Sequence, residues 1–264
     1  MFKVETVKTD AGEMKCTVFG VGKKPMVIIP GLSVANVCES AELIAAAFGI
    51  FCEDYTVYLF DRSADIPRGY TMNDMSEAVA AGMKKLGIDD AYVFAVSQGG
   101  MMALYLAERY PKLVKCMLIS SSSSLIRDDF RAVCANWKRL AAERDSRGLT
   151  AYFNEVLYSK ETLEKMGEAM LANSPEYSDA ELEHFICLVD AFESLDVDDR
   201  LGEIKCPVLI TAAKNDRVFG YYASEELARR LGCTLVTYGA EYGHAVYDEA
   251  PDFAERIMDF FSNY

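Results

Sequence analysis

Ala91-Tyr-Val-Phe-Ala-Val-Ser97-Gln-Gly-Gly100 is the stretch that decides the fold. Ala91 to Val96 is an unbroken apolar run, as expected of a strand covered on both faces. It leads straight into Ser97, two glycines follow Gln98, and a helical pattern then runs from Gln98 to Arg109, just ahead of Pro111. A serine at such a strand-to-helix turn is held in a strained conformation with its hydroxyl presented, while the helix N-terminus faces any negative charge that develops there. Strand and helix crowd together at this turn, so the flanking residues must be small, and Ala95 and Gly99 meet that demand.

The same alternation extends outward in both directions. Lys3–Lys8 and Met14–Phe19 alternate with period two around Asp10-Ala11-Gly12 and predict an opening hairpin. Met26–Ile29, Thr56–Phe60, Lys115–Ile119, Val208–Ala212 and Thr234–Tyr238 are further strands. Helical patterns separate them: Glu39–Phe48, Asp74–Leu86 before Gly87, Tyr222–Leu231 before Gly232, and Asp248–Phe261 with Pro251 in its first turn. Strand and helix in turn imply βαβ units, an α/β fold with a mostly parallel central sheet flanked by helices. From about Ser124 to Gly202 no strand signal appears; Asp128–Arg144, Leu149–Leu157, Glu161–Leu171 and Asp179–Leu195 all show helical spacing. That is far more than a crossover needs. The expected organisation is a core of residues 1–123 and 203–264 with an inserted helical cap at 124–202.

Ala95-Val-Ser97-Gln-Gly99 is similar to the G-x-S-x-G nucleophile elbow of the α/β-hydrolases, with Ala95 in place of the first glycine. The resemblance covers nearly the whole chain outside the inserted helices. That family orders its triad as serine, acid, histidine. Here Leu209-Ile-Thr-Ala-Ala-Lys-Asn-Asp216 puts an acid just past a strand, and Gly239-Ala-Glu-Tyr-Gly-His244 puts one of only two histidines in the loop after the final strand. Ile28-Ile-Pro-Gly31-Leu-Ser33 stands where the family carries its oxyanion loop, with Pro30 for the usual histidine. Phe60-Asp-Arg62 followed by Gly69-Tyr-Thr resembles the loop after the next strand, and Glu249-Ala-Pro251 with Phe253 the closing helix. The resemblance implies Ser97 as nucleophile, His244 as base, Asp216 as its orienter, and the N–H groups of Leu32 and Gln98 as the oxyanion hole. Some relatives take the acid from an earlier strand, which here ends in Ser120–Ser124.

Composition narrows the partners. With 27 Lys and Arg against 41 Asp and Glu, the net charge is −14, and no basic stripe offsets it, so nucleic acid is not expected. The first ten residues lack an apolar signal core and no run approaches a membrane span, so no membrane association is expected. Eight cysteines are scattered without a C-x-x-C pair and read as reduced packing thiols of a cytoplasmic protein. Two histidines sixty residues apart give no metal-ligand spacing, and no phosphate or dinucleotide loop follows any strand, so neither metal nor cofactor is expected. Asp190, Asp196, Asp198 and Asp199 read as solvated, His184 as a packing or surface residue that could also face substrate, and Trp137 as an anchor of the inserted helices.

The resulting expectation is a hydrolase of a small carboxylic ester or related acyl bond acting through an acyl-enzyme. C–C bond or thioester cleavage uses the same triad. A ligand-binding, receptor-like protein that kept the fold is the alternative from another class.

Overall fold

The computed structural model describes residues 2–264. β1 (Phe2–Thr9) and β2 (Gly12–Phe19) form the expected hairpin, and β3 (Lys24–Ile29), β4 (Tyr55–Ser63), β5 (Ala91–Val96), β6 (Val114–Ser120), β7 (Val208–Ala213) and β8 (Thr234–Tyr238) complete one eight-stranded sheet of order β1-β2-β4-β3-β5-β6-β7-β8. β1, β2 and β4 pair antiparallel; every pair from β4 to β8 is parallel. The chain steps from β3 to β4 on one side and then returns to β5 on the other. Sheets of this kind bind ligands at the carboxyl ends of the strands where the order reverses. Here that point lies between the ends of β3 and β5.

Helices α1 (Ala41–Ala47), α2 (Met72–Lys85), α3 (Gln98–Arg109) and α8 (Tyr221–Leu231) fill the crossovers. α2 begins two residues before the expected start because Thr71 and Asp74 form a reciprocal capping box. α8 stops at Gly232, which takes φ 64°. The expected closing helix is broken. α9 (Val246–Glu249) and α10 (Phe253–Phe261) are separate because Ala250, preceding Pro251, is extended at φ −84°, ψ 120°.

β5 divides the core between the two faces of the sheet. Val93 and Ala95 pack with Met101, Leu104 and Val79 on one side, and Tyr92, Phe94 and Val96 pack with Phe51, Phe253 and Phe261 on the other. Between β6 and β7 lie α4 (Asp128–Ala142), α5 (Ser146–Leu157), α6 (Lys160–Ala172) and α7 (Asp179–Asp190), with no strand among them. Their apolar faces join the first of these cores. Phe130, Trp137, Phe185 and Phe192 are all buried there, and Trp137 stacks on Phe153 at 4.8 Å. Asp198 departs from its reading as a solvated residue. It accepts from Ser124 Oγ at 2.6 Å and pairs with Arg230 at 2.8 Å, with its side chain only 12% exposed.

Candidate active site

Register brings the candidate residues to one edge of the sheet. Ile29 pairs with Ala95, Val96 with Ser120, and Ser120 with Thr211, so the segments after β3, β5, β6 and β7 emerge side by side. Ala213 pairs with Tyr238, which adds the loop after β8.

Ser97 has φ 55° and ψ −120°, a left-handed conformation that costs a non-glycine residue on the order of 1–3 kcal/mol. Its surroundings hold it there. The Ser97 N–H donates to Ser120 O at 2.9 Å, and its carbonyl accepts from Gly100 N at 2.9 Å, Met101 N at 3.3 Å and Ser122 Oγ at 2.7 Å. Gly99 is required by close approach: a Cβ there would meet Ile29 O and would lie 2.5 Å from Pro30 O. A methyl at Gly31 would lie 3.3 Å from Ser97 Cβ and 3.8 Å from Oγ, so the Gly31–Leu32 peptide stands beside the hydroxyl. The N–H groups of Leu32 and Gln98 make no hydrogen bond to protein; for Gln98 this follows from its place as the first residue of α3.

Asp216 and His244 are brought together. His244 Nδ1 lies 3.0 Å from each Asp216 carboxylate oxygen, and both side chains are essentially inaccessible. Oδ1 also accepts from Val218 N at 2.8 Å and Phe219 N at 3.1 Å. Burial alone would push the Asp216 carboxyl up; the neighbouring His244 and these hydrogen bonds outweigh it and hold the carboxyl below its ordinary range. Nδ1 being taken by Asp216, the imidazole presents Nε2, which is buried with no hydrogen-bond partner. No hydrogen bond joins it to Ser97 Oγ; such contacts are commonly long before substrate binds.

Sequence reasoning missed what the serine run does. Ser121 Oγ donates to His244 O at 2.8 Å and Ser122 Oγ to Ser97 O, so adjacent residues at the end of β6 fix the backbones of the candidate base and nucleophile. Ser224 Oγ in turn accepts from Ser122 N at 3.2 Å and donates to Ser122 O at 3.0 Å. The available signal was a string of hydroxyls, all of them buried here, at a strand's carboxyl end.

The helices between β6 and β7 contact this edge. Gln98 Nε2 donates to Leu188 O on α7 at 2.9 Å, and Glu249 accepts from Ser159 N at 2.8 Å, Thr162 Oγ1 at 2.6 Å and Gly243 N at 2.5 Å. Ser97 is 8% and His244 1% exposed. An open groove of about 1020 Å³ lies elsewhere, between residues 64–69 and α7, where His184 Nε2 sits 3.0 Å from Ser63 O. It contains none of Ser97, Asp216 and His244. Among the described residues no group of three or more His, Cys, Asp or Glu side chains comes together as a metal site, and no helix is long and apolar enough to cross a membrane.

Comparison with known proteins agrees with this architecture. The profile of the alpha/beta hydrolase fold matches residues 24–251. A protein of Pantoea ananatis named as the carbamate hydrolase RutD is 28% identical over 202 residues, covering 73% of this chain and 71% of its own length. The 2-hydroxy-6-oxo-6-phenylhexa-2,4-dienoate hydrolase of Comamonas testosteroni is 28% identical over 197 residues, covering 70% and 67%. Among solved structures, the enol-lactonase of Burkholderia xenovorans LB400 superposes with a TM-score of 0.83 at 17% identity, covering 98% of this chain and all of its own. An alpha/beta hydrolase from a Medee basin deep-sea metagenome gives 0.86 at 20% identity, covering 98% and 97%.

Proposed function

This chain belongs to the α/β-hydrolase family, and on that premise we propose that it is a serine hydrolase of small acyl compounds, with Ser97, His244 and Asp216 as its triad. One observation carries the reading. An imidazole gripped at Nδ1 by a buried carboxylate, with Nε2 left free, lies on the same sheet edge as a serine locked at positive φ.

A serine hydroxyl is a poor nucleophile until a base takes its proton. His244 Nε2 accepts that proton as Ser97 Oγ bonds to the acyl carbon, and Asp216 stabilises the imidazolium without itself becoming protonated. The carbonyl oxygen gains the negative charge and is met by the N–H groups of Leu32 and Gln98. The intermediate collapses, His244 protonates the departing group, and an acyl-enzyme remains. Water, deprotonated by His244, then releases the acid and restores the serine.

Residues 124–202 act as a cap that shuts the site and sets which substrates fit. The near-complete burial of Ser97 favours compact substrates over polymers. A carboxylic ester, lactone or carbamate all present the acyl carbon this mechanism needs, and the relatives named for carbamate and enol-lactone hydrolysis support that range. The Comamonas relative supports a second reading, C–C bond cleavage by the same triad. Eight unpaired cysteines, with burial pushing the Cys116 and Cys134 thiols up to about 12, support a reducing compartment, the cytoplasm.

The test is intact-mass detection of a fluorophosphonate adduct. Wild type gains one adduct and Ser97→Ala none; a panel of esters, lactones, carbamates and vinylogous diketones then separates the two readings. An unlabelled wild type, or a labelled Ser97→Ala, refutes the serine mechanism.

A further inference from the structure

Arg62, near the end of β4, is 6% exposed, and a buried guanidinium is costly unless its donors are met. All four of its hydrogen bonds go to neutral oxygens. Nε and Nη2 reach Gln98 Oε1 at 3.2 and 3.1 Å, and Nη2 reaches Pro30 O at 2.7 Å and Gly31 O at 3.1 Å. Nη1 is buried without a partner. The adjacent carboxylate, Asp61, accepts instead from the backbone N–H groups of Arg62 and Val37. Burial pulls the guanidinium down only to about 10, so it stays charged at neutral pH.

These contacts converge on the two groups that the proposed mechanism uses to hold the oxyanion. Gly31 O belongs to the same peptide unit as the Leu32 N–H, and Gln98 supplies the other N–H. We propose that Arg62 is a positioning residue of the oxyanion hole, its fork fixing the Gly31–Leu32 peptide and Gln98 while its charge strengthens the Leu32 N–H as a donor. This rests on the reading of Ser97 as nucleophile and of Leu32 and Gln98 as the hole.

Two effects combine. A peptide whose carbonyl accepts a charged hydrogen bond is polarised along its length, so its N–H donates more strongly. A donor fixed in advance where charge develops acts on the transition state and hardly on the ground state. Arg62 therefore governs rate rather than substrate affinity. The fork matters as well as the charge: Nε grips Gln98 Oε1 alongside Nη2, and lysine, with a single nitrogen that is not held in a planar fork, loses that second contact.

The experiment follows fluorophosphonate labelling of the full chain against probe concentration, for wild type, Arg62→Lys, Arg62→Met and Ser97→Ala, with a melting curve for each. The limiting rate is expected to fall about tenfold in Arg62→Lys and about a hundredfold in Arg62→Met, the latter at the lower end of the range for loss of one oxyanion donor. The half-saturating concentration and the pH midpoint of labelling stay at the wild-type values. Wild-type limiting rates in folded variants overturn the proposal, as does a loss expressed wholly in half-saturation. Failure of both variants to fold assigns Arg62 to stability alone and overturns it too. If wild type does not label, or Ser97→Ala does, the underlying serine reading is what fails.

Discussion

Gly99→Ala tests whether the approach of α3 to β3 sets the geometry of the candidate active site. The added Cβ meets Ile29 O most closely, with Pro30 O at 2.5 Å and Ile29 C at 2.7 Å. All three are backbone atoms, so no side chain can swing aside. Ordinary contact requires about 3.4 Å, which demands a displacement on the order of 1 Å between the start of α3 and the β3 exit. Overpacking of this kind costs about 1–3 kcal/mol, or a fall in melting temperature of about 2–4 °C per kcal/mol for a chain of this size. The displaced segments are those bearing Gln98 and Leu32, and a 1 Å error in a reacting constellation lowers the rate about a hundredfold. Stability is read by thermal melting and reactivity by fluorophosphonate labelling. Gly202→Ala is the control, since nothing lies within 4 Å of a Cβ there. A Gly99→Ala protein that melts and labels like wild type refutes the reasoning.

Two other perturbations address the supports of the proposed triad. Ser122→Ala removes the hydroxyl that holds the Ser97 carbonyl at 2.7 Å; a stability loss of about 1 kcal/mol in urea unfolding and a slowing of labelling on the order of tenfold are expected. Equal labelling in mutant and wild type would show that the other two donors to that carbonyl suffice. Asp216→Asn should reveal a pH-dependent stability. A carboxyl depressed in the native state contributes stability above its unfolded value of about 3.9 and loses it as the pH falls through the lower native value. The gap in melting temperature between wild type and Asp216→Asn is therefore wide at pH 7 and closes below about pH 4. A gap constant across that window counts against the account of Asp216.

Local patterning reached the sheet because each strand carries its own signal. The apolar run into Ser97 marks β5 and the elbow without any partner, and the loops after β7 and β8 could be placed by chain order alone. The misread positions depend on partners far along the chain. Asp198 is held by Ser124 and Arg230, 74 and 32 residues away, and Ser121 by a carbonyl 123 residues away; no periodicity encodes such pairings. Arg62 stood inside a motif but takes its meaning from Gly31 and Gln98, 31 and 36 residues distant. At Pro251 two local rules competed. A proline fits a helix's first turn, yet it also forces Ala250 out of helical conformation, and the second effect prevailed.

The tie made by Ser121 and Ser122 lies upstream of the inserted helices, at the strand end itself. For an engineer this makes the insertion the segment to vary, since the Ser97 and His244 carbonyls are each held by a hydroxyl outside it. A donor cassette must fit several sockets. They include the carbonyl where Leu188 meets Gln98, the N–H and hydroxyl where Ser159 and Thr162 meet Glu249, the Leu157 carbonyl that accepts from Ala245 N, and the Asp196 carboxylate that accepts from the Tyr105 hydroxyl. Gly243 adds a clearance limit, because a side chain there would strike the backbone at Leu157, Tyr158 and Ser159. A library that keeps these addresses and varies the residues between them would test how far the inserted helices set the shapes that the candidate site accepts.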